Sequence, residues 1–283
     1  MTDRVRRHCA EIAAHARHVR IDPDAMVTAG GIVGLNETLH FLDGEPADVA
    51  RYVLILDSIN FGSGWFDELS TTTDALTQRL TAHARANGPF TARELRALDA
   101  AAVGELLGLD PEHQLMRLYS AALNQLGLFL GDRPLLPFLG DSAETLAERL
   151  ADGMPFFDDR GFYKRAQIAA NDLHLAGVVQ FADIDRLTIF ADNLVPHVLR
   201  VDGMLAYAPE LAAKVDAGEE LAAGSEMETE LRACAVHACE LLAARWGVAP
   251  RVLDNWLWNR GQGAPYTDTP PPVSYTHLTL PTN

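Results

Sequence analysis

Basic residues are scarce in this chain. Lys and Arg number 23 against 39 Asp and Glu, for a formal net charge of -16. A surface that acidic repels polyanions, so no nucleic acid polymer is expected as partner, although a local basic pocket can still hold a small anion. Cysteine is scarcer still, with only Cys9, Cys234 and Cys239. An odd, sparse count argues against a disulfide framework and fits a reducing compartment. No run of about 18 apolar residues occurs, so no membrane span is expected. The N-terminal MTDRVRRHCAEIAAHARHV carries charges throughout and lacks the apolar centre of a secretion signal. A soluble cytoplasmic protein is the resulting expectation. Also missing are G-x-x-x-x-G-K-[ST], a strand followed by GxGxxG, HExxH and G-x-S-x-G, which removes the commonest phosphate-loop, dinucleotide, zinc-protease and serine-hydrolase signatures.

The chain does have apolar content. Hydrophobic residues make up 48% of 283 residues, enough for a large core. Strand signals are few, and helix signals recur with clear starts and stops. Residues 3 to 18 are amphipathic. GEPADVARYVLILDSINFG places Pro46 near a first turn, and STTTDALTQRLTAHARANG opens on Thr caps and stops at Gly88. Thr91 and Glu94 form a capping box. Asp110 reads as a cap with Pro111 at the first helical position. Further helices are read in DSAETLAERLADG, in GFYKRAQIAANDLHLAG, from Ser225 to Gly247, and in APRVLDNWLWNRG. About ten helices follow from these signals. No linker or repeat divides them, so one all-α domain over residues 1 to 265 is expected. Residues 266 to 283 read as a Pro-rich end without packed structure, followed by VSYTHLTLPTN, which has the look of an adapter-derived tail.

Three stretches are candidates for chemistry. LTIFADNLVPHVL, residues 187 to 199, reads as a helix apolar on most sides and therefore buried. Asp192 lies inside it, and Pro196 removes the N–H that would bond the carbonyl of residue 192. Either Asp192 is a structural acid with a polar partner, or it is a catalytic or ligand-binding one. DSINFGSGWF places Gly62 and Gly64 among Phe61, Trp65 and Phe66. That suits stacking on a flat ring, or simply core aromatics after a helix stop. FFDDRGFYKRAQ sets the basic pair Lys164 and Arg165 beside four aromatics, fit for a phosphate or for a solvated helix face. Cys234, His237 and Cys239 do not make a zinc site. Their spacing on one helix points them apart, and no second cluster completes four ligands.

Taken together, LDSINFGSGWF, FYKRAQIAANDL, LTIFADNLVPHVLRVDG and ELRACAVHACE followed by LDNWLW resemble the queuosine salvage protein family, the queuosine 5'-phosphate N-glycosylases. The resemblance runs through roughly residues 10 to 265. It implies an all-helical fold like the helix-hairpin-helix DNA glycosylases with a central ligand cleft. It also implies release of queuine from the nucleotide, with no metal or organic cofactor and a free small-molecule substrate. The family's acid falls on Asp192. Lys164, His197 and Arg200 become candidates for the 5'-phosphate, Phe61, Trp65 and Phe157 for the faces of the base, and Asp57 and Asn60 for its polar edge or cyclopentenediol arm. Some members carry Tyr-Arg where this chain has Asn193 and Leu194, so no role is carried to those two. The basic, aromatic tail that ends the family is replaced here.

The implied chemistry agrees with the residues. Cleaving an N-glycosidic bond passes through an oxocarbenium-like sugar, which a carboxylate stabilises. A 7-deazapurine has no N7 to protonate, so the sugar side carries more of the catalysis. A non-catalytic helical protein that binds a modified base is the alternative.

Overall fold

A computed structural model describes residues 1 to 273 apart from Met26, Ala29 and Arg160. Among the described residues the chain forms thirteen α-helices. The first eight are α1 (Thr2–His15), α2 (Pro46–Ser58), α3 (Thr73–Asn87), α4 (Ala92–Leu95), α5 (Ala100–Leu107), α6 (Gln114–Leu130), α7 (Leu135–Leu139) and α8 (Ala143–Gly153). Then come α9 (Lys164–Leu175), α10 (Leu194–Val201), α11 (Pro209–Asp216), α12 (Glu226–Trp246) and α13 (Pro250–Gly261). Two short strands, β1 (Val19–Ile21) and β2 (Leu205–Tyr207), pair antiparallel with Arg20 opposite Ala206. The all-α expectation holds at that level. Among the described residues, no helix is long and apolar enough to cross a membrane.

The helix starts show why local sequence was informative. Pro46 occupies the first turn of α2, where its missing N–H has no intrahelical partner to lose. Thr72 caps α3 through Ala75 N, and Gly88 ends it with a φ of 78°. The Thr91–Glu94 capping box is present. Ser225 caps α12, and Gly247 closes it in the left-handed region. One start differs from expectation. Asp110 and Pro111 lie in a turn, and α6 begins at Gln114, where His113 Nδ1 accepts from Leu115 N at 3.1 Å.

The chain divides into two compact units. The first comprises Met1–Val33, the start of α9 through Gln167, and the chain from Asp185 onward. Its centre is α12, buried on most of its circumference, against which α1, α10 and α13 pack. A Cβ on Gly261 would come within 2.9 Å of Leu194 and Val198, so glycine is what lets α13 lie against α10. The expectation of no packed structure after residue 265 is corrected here. Tyr266 and Pro272 are buried, and Leu221 N donates to Val273 O at 2.8 Å. Of the expected adapter tail, Val273 to Asn283, only Val273 is described, and the rest lies outside the described residues.

The second unit comprises Gly34–Asp159 and Ile168–Ile184. Here α6 is the central helix, with α2, α4 and α5 against it and α3 and α7 on α2. Asp183 accepts from Ala143 N at 2.6 Å and Ser142 Oγ at 2.7 Å, which places a carboxylate at the electropositive start of α8.

Candidate active site

The stretch around Asp192 is not the helix its periodicity suggested. Leu187 through Ala191 are buried but non-helical, and α10 begins only at Leu194. A buried segment without its own ladder must find partners elsewhere for its peptide groups. Three side chains distant in sequence supply them. Gln167 Oε1 accepts from Thr188 N at 2.9 Å, while its Nε2 donates to Thr188 Oγ1 and Phe162 O, both at 2.8 Å. Asp254 Oδ1 accepts from Phe190 N at 2.8 Å. Arg232 Nε donates to Ala191 O at 2.9 Å. Arg232 is itself held by Glu228 at 3.1 Å, and its guanidinium lies over the Phe162 ring, 4.0 Å from the centroid. The segment is therefore clamped from α9, α13 and α12 at Thr188, Phe190 and Ala191.

Asp192 follows directly on this clamp. Its Oδ1 accepts from Leu194 N at 2.9 Å and Val195 N at 3.1 Å, so the acid caps α10. Pro196 falls in the first turn, where an absent N–H leaves nothing unsatisfied. The pairing of Asp192 with Pro196 is a helix start, not an opened helix. Asp192 is half-buried rather than enclosed. Among the described residues, both of its hydrogen bonds are to Oδ1, which leaves Oδ2 as the oxygen that can face a substrate. Next to it, Asn193 Nδ2 donates to Pro272 O at 2.8 Å.

Other expected residues of the first unit have varied settings. Lys164 is half-buried at the first position of α9. His197 is 1% exposed, with Nε2 2.8 Å from Tyr266 O. Arg200 pairs with Asp216 at 2.8 Å and lies over the Tyr207 ring at 4.7 Å. Arg200 thus has internal partners, whereas His197 Nδ1 is buried with no hydrogen-bond partner.

In the second unit Phe61 stacks on Phe156, with centroids 5.5 Å apart and planes 11° from parallel. Its ring also meets Tyr119 edge-on at 5.0 Å. Phe156 and Tyr119 are thus aromatic partners of Phe61, and Phe157 is enclosed at 1% exposure. Trp65 is half-buried and Asn60 exposed. Gly62 has a φ of 83°, and a Cβ there would come within 2.5 Å of Leu115, so its glycine is already required by the turn and its packing.

Asp57 is the outlier of this unit. It is 1% exposed, and its Oδ2 is buried with no hydrogen-bond partner. Burial, and then the like charge of Asp172, push its carboxyl well above the usual carboxylate range. Burial also raises Asp172, to about 6, although Asn171 donates to it at 3.1 Å. Asp172 was not singled out in the sequence. It lies on α9 eight positions after Lys164, a spacing close to two helical turns.

A family model for the queuosine salvage protein matches residues 135–274. A queuosine 5'-phosphate N-glycosylase/hydrolase from Sphaerobacter thermophilus is 32% identical, with 81% of each chain covered. The chain belongs to the queuosine salvage protein family. A protein of the same name from Dictyostelium discoideum is 26% identical over 91% of this chain and 93% of its own. One from Mus musculus is 36% identical over 38% of this chain and 35% of its own. The match to the queuosine salvage model spans Lys164, Gln167, Asp192, Arg232 and Asp254. Gln167, Arg232 and Asp254 lie inside the stretches that carried the resemblance, yet no role had been attached to them.

Proposed function

We propose that this chain hydrolyses the N-glycosidic bond of queuosine 5'-phosphate, releasing queuine for salvage into tRNA modification. The observation that carries the reading is the mounting of Asp192. Two peptide N–H groups hold one carboxylate oxygen, at 2.9 and 3.1 Å, and the preceding segment is clamped. That orients the second oxygen without relying on a flexible side chain. A fixed carboxylate is suited to the positive charge that develops on the sugar as the bond from C1' to the base breaks. Water then adds its oxygen to C1'. One proton passes to the departing base nitrogen, and ribose 5-phosphate and queuine result. The printed names of the relatives support the same substrate and reaction.

Lys164 is the proposed ligand of the 5'-phosphate, being a half-buried cation at a helix start. Asp57, Asn60, Phe61 and Trp65 are the proposed contacts of the base. Phe157 and Arg200 are not assigned a substrate role, because enclosure and an ion pair with Asp216 account for them, while His197, whose buried Nδ1 has no hydrogen-bond partner, stays a proposed contact of the 5'-phosphate. The reading includes a helix-hairpin-helix glycosylase type of core with a ligand cleft, supported by the predominance of helix. It also includes cytoplasmic residence, supported by three free, buried cysteines.

Incubation with queuosine 5'-phosphate tests the activity, with free queuine and ribose 5-phosphate followed by mass spectrometry. Stoichiometric binding with no product after prolonged incubation would establish a binding protein instead. Steeply salt-dependent binding to DNA or tRNA would point to a polymer substrate.

A further inference from the structure

We propose that Asp57 and Asp172 form an anionic subsite for the protonated secondary amine of the queuine arm, the group that joins the 7-deazaguanine ring to its cyclopentenediol. This deepens the function proposed above and rests on it. Asp57 stands at the end of α2 and Asp172 on α9, both within the second unit. The Oδ2 of Asp57 is enclosed and unpartnered. Among the described residues neither acid forms an ion pair, and Asn171 donates the one hydrogen bond that either side chain accepts.

A buried carboxylate without a partner is costly, and a second acid beside it raises the cost. In the empty protein a bound proton relieves the pair, consistent with the raised carboxyls of both residues. A ligand with a formal positive charge relieves it better and can donate two N–H bonds. A secondary ammonium has that form, with two hydrogens on one cationic nitrogen. The neutral N1–H and 2-amino edge of the base would satisfy hydrogen bonds but would not cancel charge, which favours the amine. Phe61 and Trp65 lie in the turn that follows α2, four and eight residues after Asp57. Their half-buried rings offer apolar surface for the rest of the arm.

The experiment compares binding of queuine and of 7-deazaguanine, which keeps the ring edge but lacks the arm, to the full chain by calorimetry. Wild type is expected to prefer queuine, and Asp172→Asn to reduce that preference by about 10- to 100-fold, the value of a charge-assisted hydrogen bond. Affinity for 7-deazaguanine should change less than about twofold if the pair contributes only to the amine. Asp57→Asn should act in the same direction while melting no lower than wild type, because the replaced Oδ2 has no hydrogen-bond partner to lose; a merely structural carboxylate would melt lower when replaced. An unchanged preference in both variants overturns the subsite. Equal weakening of both ligands overturns the amine and assigns the pair to the ring edge. Queuine binding without any hydrolysis sinks the proposed activity but leaves the subsite standing. Hydrolysis by wild type with undiminished preference in Asp172→Asn does the reverse.

Discussion

Asp192 and Asp57 both follow apolar runs, and the structure treats them in opposite ways. Asp192 is half-buried and accepts two peptide N–H bonds through Oδ1. Asp57 is enclosed, and its Oδ2 accepts none. The first acid is oriented by the protein itself, at the end of a segment clamped by Gln167, Arg232 and Asp254. The second is left with an unmet need, and Asp172 adds to it. Orientation suits a group that must meet developing charge, since no reorganisation is then needed during reaction. An unmet need suits a group that recognises a charge arriving with the ligand. One family motif can therefore mark either kind of acid, and only the hydrogen-bond inventory separates them.

The comparison breaks most readily at Asp192. Asp192→Asn keeps an amide oxygen able to cap α10 but removes the negative charge. Turnover of queuosine 5'-phosphate is expected to fall about 10²- to 10³-fold, with a melting temperature close to wild type. Wild-type turnover in the folded variant would remove Asp192 from the chemistry.

The clamp comes next. Arg232→Ala takes the Nε donor from Ala191 O and the buried guanidinium from Glu228. A loss of about 3–5 kcal/mol in unfolding free energy is expected from denaturant titration. Adding Glu228→Gln should recover part of it, because the buried charge that faced Arg232 is then gone. If the single variant is as stable as wild type, the segment before Asp192 is not held as described.

A smaller effect sharpens the Asp57 side of the comparison. Asp172 titrates near 6 in the folded chain, above the ordinary Asp value of about 4. The native state then binds more protons than the unfolded one across this window. Its contribution to stability is present below about pH 4 and is lost as pH rises through about 6. Asp172→Asn should therefore match wild type near pH 4 and gain stability relative to it by pH 7. Unfolding free energies of both proteins at the two pH values check the sign.

The smallest expected effect separates the structural and chemical parts of Asp192. Asp192→Ala removes the cap as well as the charge, so it should be about 1 kcal/mol less stable than Asp192→Asn and equally inactive. Equal stability of the two would mean that the cap contributes nothing.

Much of the fold was legible because helix boundaries are local events. Thr72, Thr91 and Ser225 cap helices through bonds that span about three residues, so their meaning stays within a short window. The same rule was available at Asp192 and Pro196, an acid followed by a first-turn proline. The 3.6-residue pattern of Leu187, Phe190, Ala191 and Leu194 concealed it. Periodicity reports burial, and an extended segment buried on all sides satisfies a helical pattern as readily as a helix does. The Pro-rich end was misread for a related reason. Composition says nothing of a carbonyl such as that of Pro272, which takes a bond from Asn193.

From the sequence alone came the helical class, most of the caps, the sparse cysteines, and the stretches that carry Lys164 and Asp192. These depend on short-range sterics, on composition, or on motif order. The tertiary structure alone decided that residues 187 to 193 are not helical, that Phe61 stacks on Phe156, and that Asp57 and Asp172 act on each other. Each of those depends on a partner tens of residues away. The free energy of a buried polar group is set by what stands within a few ångströms of it, and sequence distance does not report that separation.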